Sequence, residues 1–279
     1  MTENKLSMEE IENLSYYDFM SYLGASFFQI GGPKSTERLA EQCQINKDKK
    51  VLEVGCGTGF NACLIAKKFG CRVVGVDIAE VSIEKAKERA EKEGLTDRAE
   101  FRTGNAYDLP FEDNSFDVAI TTFVSQFLDM ERAFKEFVRV LKPGGYVGIN
   151  EMYKDRDIPQ KPAEEIQHVE DILNDLTELP FKLHTPEDWK KLFKDAGLAD
   201  IQINKSREFM GIRDTPQIIT EMGGWVQLSK VMVRMIKYSL LSKEIRSRFK
   251  RLQKTKAVFL RKKSTSKHVG YVLGTGKKA

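Results

Sequence analysis

The segment Glu53-Val-Gly55-Cys-Gly57-Thr-Gly59-Phe60 holds three glycines at alternate positions, behind a short apolar run and ahead of a helical one. In that setting glycine lets backbone N–H groups approach a ligand and turns a strand tightly into a helix. A dinucleotide loop requires G-x-G-x-x-G, but here the third glycine comes one position early and Phe60 stands where close helix packing demands glycine. The spacing therefore argues against NAD and FAD. Glu53 argues the same way, because a carboxylate there repels a pyrophosphate yet binds the ammonium of an amino-acid moiety. Asp77 closes a second apolar run, Val73-Val-Gly-Val-Asp77, in the position from which a carboxylate grips ribose hydroxyls. A nucleoside bearing a cationic amino acid satisfies both acids.

These residues need a scaffold that brings several strand ends together. Short apolar runs at 51–54, 72–76, 99–102, 116–121 and 146–150 alternate with helical stretches at 60–69, 79–93 and 130–141. Strand alternating with helix means crossover units, hence a parallel sheet with helices on both faces. Upstream, residues 8–23 show helical spacing with four aromatic residues, then Gly31-Gly32-Pro33 interrupts before a second helical run at 35–43. Downstream, helices are expected at 163–178 and 186–196, the latter opened by Thr185-Pro186-Glu187-Asp188, a capping residue, a first-turn proline and two acids that complement the dipole. Strands at 200–205 and 269–274 complete the set.

Glu53 to Gly59, Asp77, Gly104-Asn105-Ala106, Leu109-Pro-Phe-Glu-Asp-Asn-Ser-Phe-Asp117 and Leu141-Lys-Pro-Gly-Gly145 resemble the ordered motifs of class I S-adenosylmethionine-dependent methyltransferases of the broad small-molecule group. The resemblance covers residues 28–150. It implies a Rossmann-like α/β fold with a seven-stranded sheet whose last strand is antiparallel, and S-adenosylmethionine as cofactor. Gly55, Gly57 and Gly59 would line the methionine part, with Glu53 at its ammonium and Asp77 on the ribose. Ile78 would pack on adenine, and Asn105 with Ala106 would meet the adenine amino group; the family usually has Asp at 105, and an Asn oxygen still accepts there. The aromatic N-terminal helix, Gly31-Gly32 and Thr36 look like the lid of phosphoethanolamine-type lipid-precursor methyltransferases, which brings Tyr17, Tyr22, Gly31 and Gly32 over the cofactor.

Methyl transfer from a sulfonium rests on alignment and water exclusion, and a general base helps when the acceptor must lose a proton. Such groups sit beyond the carboxyl ends of the strands. Thr121, Thr122, Ser125 and Gln126 follow the fourth strand and Glu151, Met152 and Tyr153 the fifth. Related enzymes often carry His near positions 126 and 127, where this chain has Gln126 and Phe127. Glu151 is therefore the expected base or substrate-orienting carboxylate, with Gln126 and Tyr22 beside it and Thr122 on the cofactor side; His168 and His184 are weaker candidates and His268 is given no role.

With 279 residues, 41% apolar and 31% charged, the chain has material for a core, and disorder and fibre are excluded. No stretch approaches the roughly 18–20 apolar residues of a membrane span, and the acidic first 20 residues do not read as a signal peptide, so a cytoplasmic protein is expected. The four cysteines lack paired C-x-x-C spacing, which indicates neither a zinc site nor a disulfide framework.

The net charge of +4 hides a segregation: from 207 to 263 there are fifteen Lys/Arg against four acids, whereas residues 1–206 are net negative. Within this stretch, 225–241 sets Lys230, Arg234 and Lys237 along one stripe with Trp225, Leu228, Met232, Met235 and Ile236 across the helix. Such a helix lies on anionic lipid, covers an acceptor pocket or forms a homodimer face. A basic patch is also the footprint of nucleic-acid binding, which the acidic body and the lack of a recognised RNA-binding module disfavour.

The expected organisation is a helical lid at 1–45, a cofactor-binding α/β core at 46–206, a basic helical insertion at 207–266 and a last core strand at 267–279. The expected activity is methyl transfer to a small-molecule or lipid-like acceptor, with an RNA or protein acceptor, a dinucleotide oxidoreductase and a non-catalytic S-adenosylmethionine-binding module as rivals.

Overall fold

The computed structural model describes residues 6–24, 31–207, 219 and 224–279, without the side chains of Tyr17 and Leu260. Its centre is a seven-stranded sheet in the order β3-β2-β1-β4-β5-β7-β6. The strands are β1 (Lys50–Val54), β2 (Arg72–Asp77), β3 (Ala99–Thr103), β4 (Phe116–Thr122), β5 (Leu141–Lys154), β6 (Leu198–Ser206) and β7 (Val269–Lys278). The first five run parallel, and β7 is antiparallel to both β5 and β6. Near-continuous apolar stretches such as Val51–Val54 are what a strand covered on both faces needs. Strand order reverses between β1 and β4, so the loops leaving these neighbours diverge and open a crevice at their carboxyl ends.

Period-two alternation sends successive residues to opposite faces. On one face α3 (Gly32–Gln42), α4 (Phe60–Phe69) and α5 (Glu80–Lys92) bury Leu39, Cys43, Ala62, Cys63 and Ala86 with Val51, Val73 and Ile120. On the other, α6 (Met130–Val140) and α8 (Pro186–Asp195) bury Phe134, Phe137, Trp189 and Phe193 with Leu52, Val74 and Val147. Thr185 caps α8 in a capping box with Asp188, as its sequence foretells. Helix α7 (Gln160–Thr177) packs a smaller cluster, with Ile166, Val169, Phe181 and Met152. All four cysteines are free and buried, and burial raises each thiol above its usual pKa, Cys71 to about 11 and Cys63 to about 12.

The helical run expected at 8–23 is two helices, α1 (Met8–Glu12) and α2 (Tyr16–Leu23). Ser7 starts the first through a capping box with Glu10, and Ser15 starts the second by accepting the Asp18 N–H. Two serine caps in eight residues outcompete one continuous helix. The Gly-Gly-Pro element begins α3 rather than lying ahead of it: Gly31 takes φ +94° at the N-cap and Pro33 sits in the first turn.

Between β6 and β7, α9 (Gly224–Leu241) and α10 (Lys243–Lys256) are followed by a π-helical turn at Ala257–Arg261 and by α11 (Lys263–Ser266). Ser242 separates α9 from α10 and caps the latter through the Ile245 N–H. Ile11, Phe19 and Leu23 pack with Val231, Tyr238, Ile245 and Phe249, so the N-terminal helices and the insertion share a small core of their own.

Helix α3 lies close against β5 because Gly148 has no side chain: a Cβ there would stand 2.6 Å from Cys43 Sγ and 3.2 Å from Leu39 Cδ1. Gly148→Ala is expected to lower unfolding free energy by about 1–3 kcal/mol through overpacking, read as a reduced midpoint in urea with unchanged m-value.

Candidate active site

The glycine loop lies between β1 and α4, and each glycine has a different reason to be one. Gly55 takes φ +74° and leaves room for the Val124 side chain, which a Cβ would strike. Gly59, also at +74°, caps α4 against Phe101 and Ala86. Gly57, at +51°, has nothing within 4 Å of where a Cβ would be. Its glycine identity is thus set by backbone conformation, and its surroundings are left for a ligand.

Asp77 ties this loop to β2. Its Oδ2 accepts the Gly57 N–H at 2.8 Å and its Oδ1 the Ala79 N–H at 3.0 Å. Burial raises its pKa, against those two bonds. Each carboxylate oxygen retains acceptor capacity for a hydroxyl. Ile78, the next residue, is 70% exposed, an aliphatic face beside the loop that the described chain leaves uncovered. The acid Asp18 on α2 contributes to raising Asp77, and Ser21 Oγ lies 2.8 Å from Ser82 Oγ on α5, so α2 crosses the site beside this carboxyl.

Glu53 is 1% exposed, and burial pushes its carboxyl up to about 8. Hydrogen bonds from the Asn61 side chain and the Ala62 N–H pull the other way, while Asp77 adds repulsion. Thr36 Oγ1 donates to Asn61 Oδ1 at 3.1 Å, which links α3 and the Gly31-Gly32 turn to the acid. Glu53 Oε2 has no hydrogen-bond partner among the described residues. A buried carboxyl oxygen without a donor is what a cationic group would complete, so these residues fit the ammonium of an amino-acid ligand. Asn61 escaped the sequence reading; a polar residue in the first turn of α4, directly after the loop, was the available signal.

Asn105 already uses its amide oxygen within the chain. Its Oδ1 accepts the Tyr107 N–H at 2.9 Å, closing an Asx turn, and the residue is exposed. A ligand amino group has to share that oxygen. Ala106 lies beside it, half-buried.

At the ends of β4 and β5 a second polar cluster is buried. Glu151 is 0% exposed, and its Oε1 accepts the N–H groups of Val124 at 3.1 Å and Ser125 at 3.0 Å. Expected just past the fifth strand, Glu151 lies within β5 itself, where its side chain holds the loop that leaves β4. Burial raises its pKa to about 7, and the hydrogen bonds from the Ser125 and Val124 N–H groups moderate the rise. Phe123 in that loop takes φ +60°, a strained conformation for a bulky residue. Glu151 Oε2, the hydroxyls of Thr121, Thr122 and Ser125, the Gln126 amide and Asn150 Oδ1 have no hydrogen-bond partner among the described residues. By alternation Thr121 and Glu151 share one face of the sheet and Thr122 and Asn150 the other, so buried groups that a ligand or water completes flank these strand ends on both faces.

Gly31 and Gly32 reach this edge through β7 and β5. The Tyr271 ring lies 2.8 Å from where a Gly31 Cβ would be, Ser35 Oγ donates to Gly32 O at 2.6 Å, and Asn150 Nδ2 donates to Ser35 Oγ at 2.8 Å. Tyr22 instead meets α9, its hydroxyl 2.9 Å from that of Tyr238. Tyr22 thus lies in the seam between the N-terminal helices and the insertion. The Tyr17 side chain lies outside the described residues. His184 packs against Trp189 with tilted rings and centroids 4.8 Å apart and is lowered to about 4 by burial, while His168 is exposed on α7. His268 Nδ1 pairs with Asp155 at 3.3 Å.

Residues 45–197 match the family described as "Methyltransferase domain". An uncharacterized protein of Haemophilus influenzae is 33% identical over 66% of this chain and 72% of its own length. Phosphoethanolamine N-methyltransferase 1 of Arabidopsis thaliana is 31% identical over 68% of this chain but 37% of its own length. The chain spans about a third to a half of most curated relatives it matches. Among solved structures, the [4+2]-cyclase SpnF aligns with a TM-score of 0.67 over 94% of this chain and 93% of that one at 20% identity, which shows the fold and also that this architecture hosts other chemistry. The match runs over more than half of the chain and takes in the glycine loop and both strand-end acids, and it leads to one statement: the chain belongs to the methyltransferase-domain family.

Proposed function

We propose that the chain transfers the methyl group of S-adenosylmethionine to a small-molecule or lipid-like acceptor. The observation that carries the proposal is Glu53, a buried carboxyl at a strand end with one oxygen unpartnered, beside a glycine loop whose middle member borders open space. S-adenosylmethionine, when bound, supplies an electrophilic methyl on a positively charged sulfur. In this reading Glu53 takes the amino-acid ammonium, Gly55, Gly57 and Gly59 give the backbone room for the methionine part, and Asp77 takes the ribose hydroxyls. Ile78 covers the adenine face, and Asn105 with Ala106 meets its edge. Thr122, at the end of β4, faces the transfer point, while Gly31 and Gly32 with Tyr17 close the other side.

For the acceptor, the buried hydroxyls and amide at 121–126 and the free oxygen of Glu151 supply hydrogen bonds in a dry enclosure, where they orient a nucleophile well. A carboxyl near pKa 7 is suited to take a proton. Glu151 also sets the position of Gln126 through the loop it holds. The relative named for phosphoethanolamine supports a polar lipid precursor, and the chain's own support is this polar lining. The other expected partners, an anionic membrane or a second copy of the chain, both meet the 225–263 segment, whose described helices carry exposed apolar surface.

The raised acids fix the sign of a pH effect. Between about pH 5 and 8 the folded chain holds protons on Glu53 and Glu151 that the unfolded chain has released, so stability falls as pH rises through that window. Each carboxyl contributes on the order of 1 kcal/mol per pH unit. In Glu53→Gln the ligand-free protein is expected to lose most of the slope between pH 7 and 8, measured by urea titration; an unchanged slope would assign it to another group.

Titration calorimetry with S-adenosylhomocysteine tests the cofactor reading. Asp77→Ala is expected to weaken binding on the order of a hundredfold, since it removes acceptors for both the loop and the ribose. NAD should give no heat. Equal affinity for NAD, or binding indifferent to Asp77→Ala, overturns the reading. Turnover with labelled methyl donor across polar lipid precursors, sterol-like alcohols and RNA then identifies the acceptor class; transfer to RNA alone overturns the acceptor proposal.

A further inference from the structure

The outer face of α9 carries Trp225, Val226, Met232, Val233, Ile236 and Leu240, each more than half exposed. At 100° per residue they form one stripe, while Val231 and Tyr238 point the opposite way into the small core shared with α2. Single exposed apolar residues are ordinary, but six on one side of a helix from 225 to 240, interrupted by Ser229, mark a surface meant to meet something apolar. Lys230 and Lys237 run along one border of the stripe, both exposed and without an acidic partner among the described residues. Helix α10 continues the pattern with Lys243, Lys250 and Lys254, again exposed and unpaired, whereas Arg248 and Arg251 are held by Glu244 and Asp175.

An apolar stripe with a tryptophan at one end and unpaired lysines at its border has the chemistry of a helix lying in the plane of a lipid surface, with side chains in the acyl boundary and ammonium groups among anionic headgroups. We propose that α9 and α10 dock this protein on anionic bilayers. A purely apolar protein face would account for the stripe but not for a row of unneutralised cations, and a nucleic acid would account for the cations but not for the aliphatic stripe. The anionic bilayer accounts for both. Docking is independent of methyl transfer and is read without turnover, so its failure leaves the proposed reaction standing.

Co-sedimentation of the full chain with phosphatidylcholine vesicles, with and without phosphatidylglycerol, tests the proposal. The expected result is binding to the anionic vesicles that weakens as salt rises. Trp189 is fully buried, so a blue shift of tryptophan emission on binding reports Trp225. Lys230→Gln and Lys237→Gln are each expected to weaken binding roughly fivefold, and Ile236→Ser with Leu240→Ser to abolish the blue shift. All four positions are exposed, and circular dichroism with thermal melting confirms that the variants fold. No binding to either vesicle overturns the proposal. So does retention on tRNA without vesicle binding, or a dimer in sedimentation equilibrium that Ile236→Ser converts to monomer.

Discussion

In two places a carboxyl at the end of one strand, half-buried in one case and fully buried in the other, accepts backbone N–H groups of the loop that leaves the neighbouring strand. Asp77 on β2 does this for the loop after β1, and Glu151 on β5 for the loop after β4. Strands β1 and β4 are the pair between which the sheet order reverses, so these are the two loops that border the crevice. Loops with positive-φ residues, Gly57 in one and Phe123 in the other, do not hold such shapes unaided. Burying two acids is costly, as their raised pKa values show, and the bonds they receive offset part of that cost. The crevice exists in its present shape because both acids are there.

Much of this was legible in the sequence, and the reason is local. Strand–helix alternation, the glycine spacing and the acids at strand ends are patterns within a few residues, and the sheet that positions them follows from crossover rules. Where competing local signals were present the pattern was harder to read: Ser15 divides the first helical run, and the Asn105 oxygen already accepts a neighbouring N–H. What could not be read was long-range. That Glu151 is enclosed depends on β5 lying between β4 and β7, and that Tyr22 meets Tyr238 depends on a contact across more than two hundred residues of chain. Asn61 belongs to the same class, since its value comes from Thr36 and Glu53 arriving from two other elements.

The N-terminal helices and the insertion share one small core, which gives the protein a cap built from two segments about two hundred residues apart in sequence. Helix α2 is fastened on two sides, to α5 through Ser21 and Ser82 and to α9 through the Tyr22–Tyr238 pair and the Arg234 bond to the Tyr22 carbonyl. Any movement of α2 over Asp77 therefore moves α9 or breaks this seam. Access of a ligand to the crevice is in this way connected to the surface that α9 presents outward.

The burial of the four thiols has a practical side. With each pKa raised, the thiolate fraction near neutral pH is very small, and maleimide reagents require thiolate. Cysteines introduced on the outward sides of α2 and α9 would thus be the reactive ones in an otherwise native chain. A pair of fluorophores placed there would follow the opening of the cap in real time against a silent background.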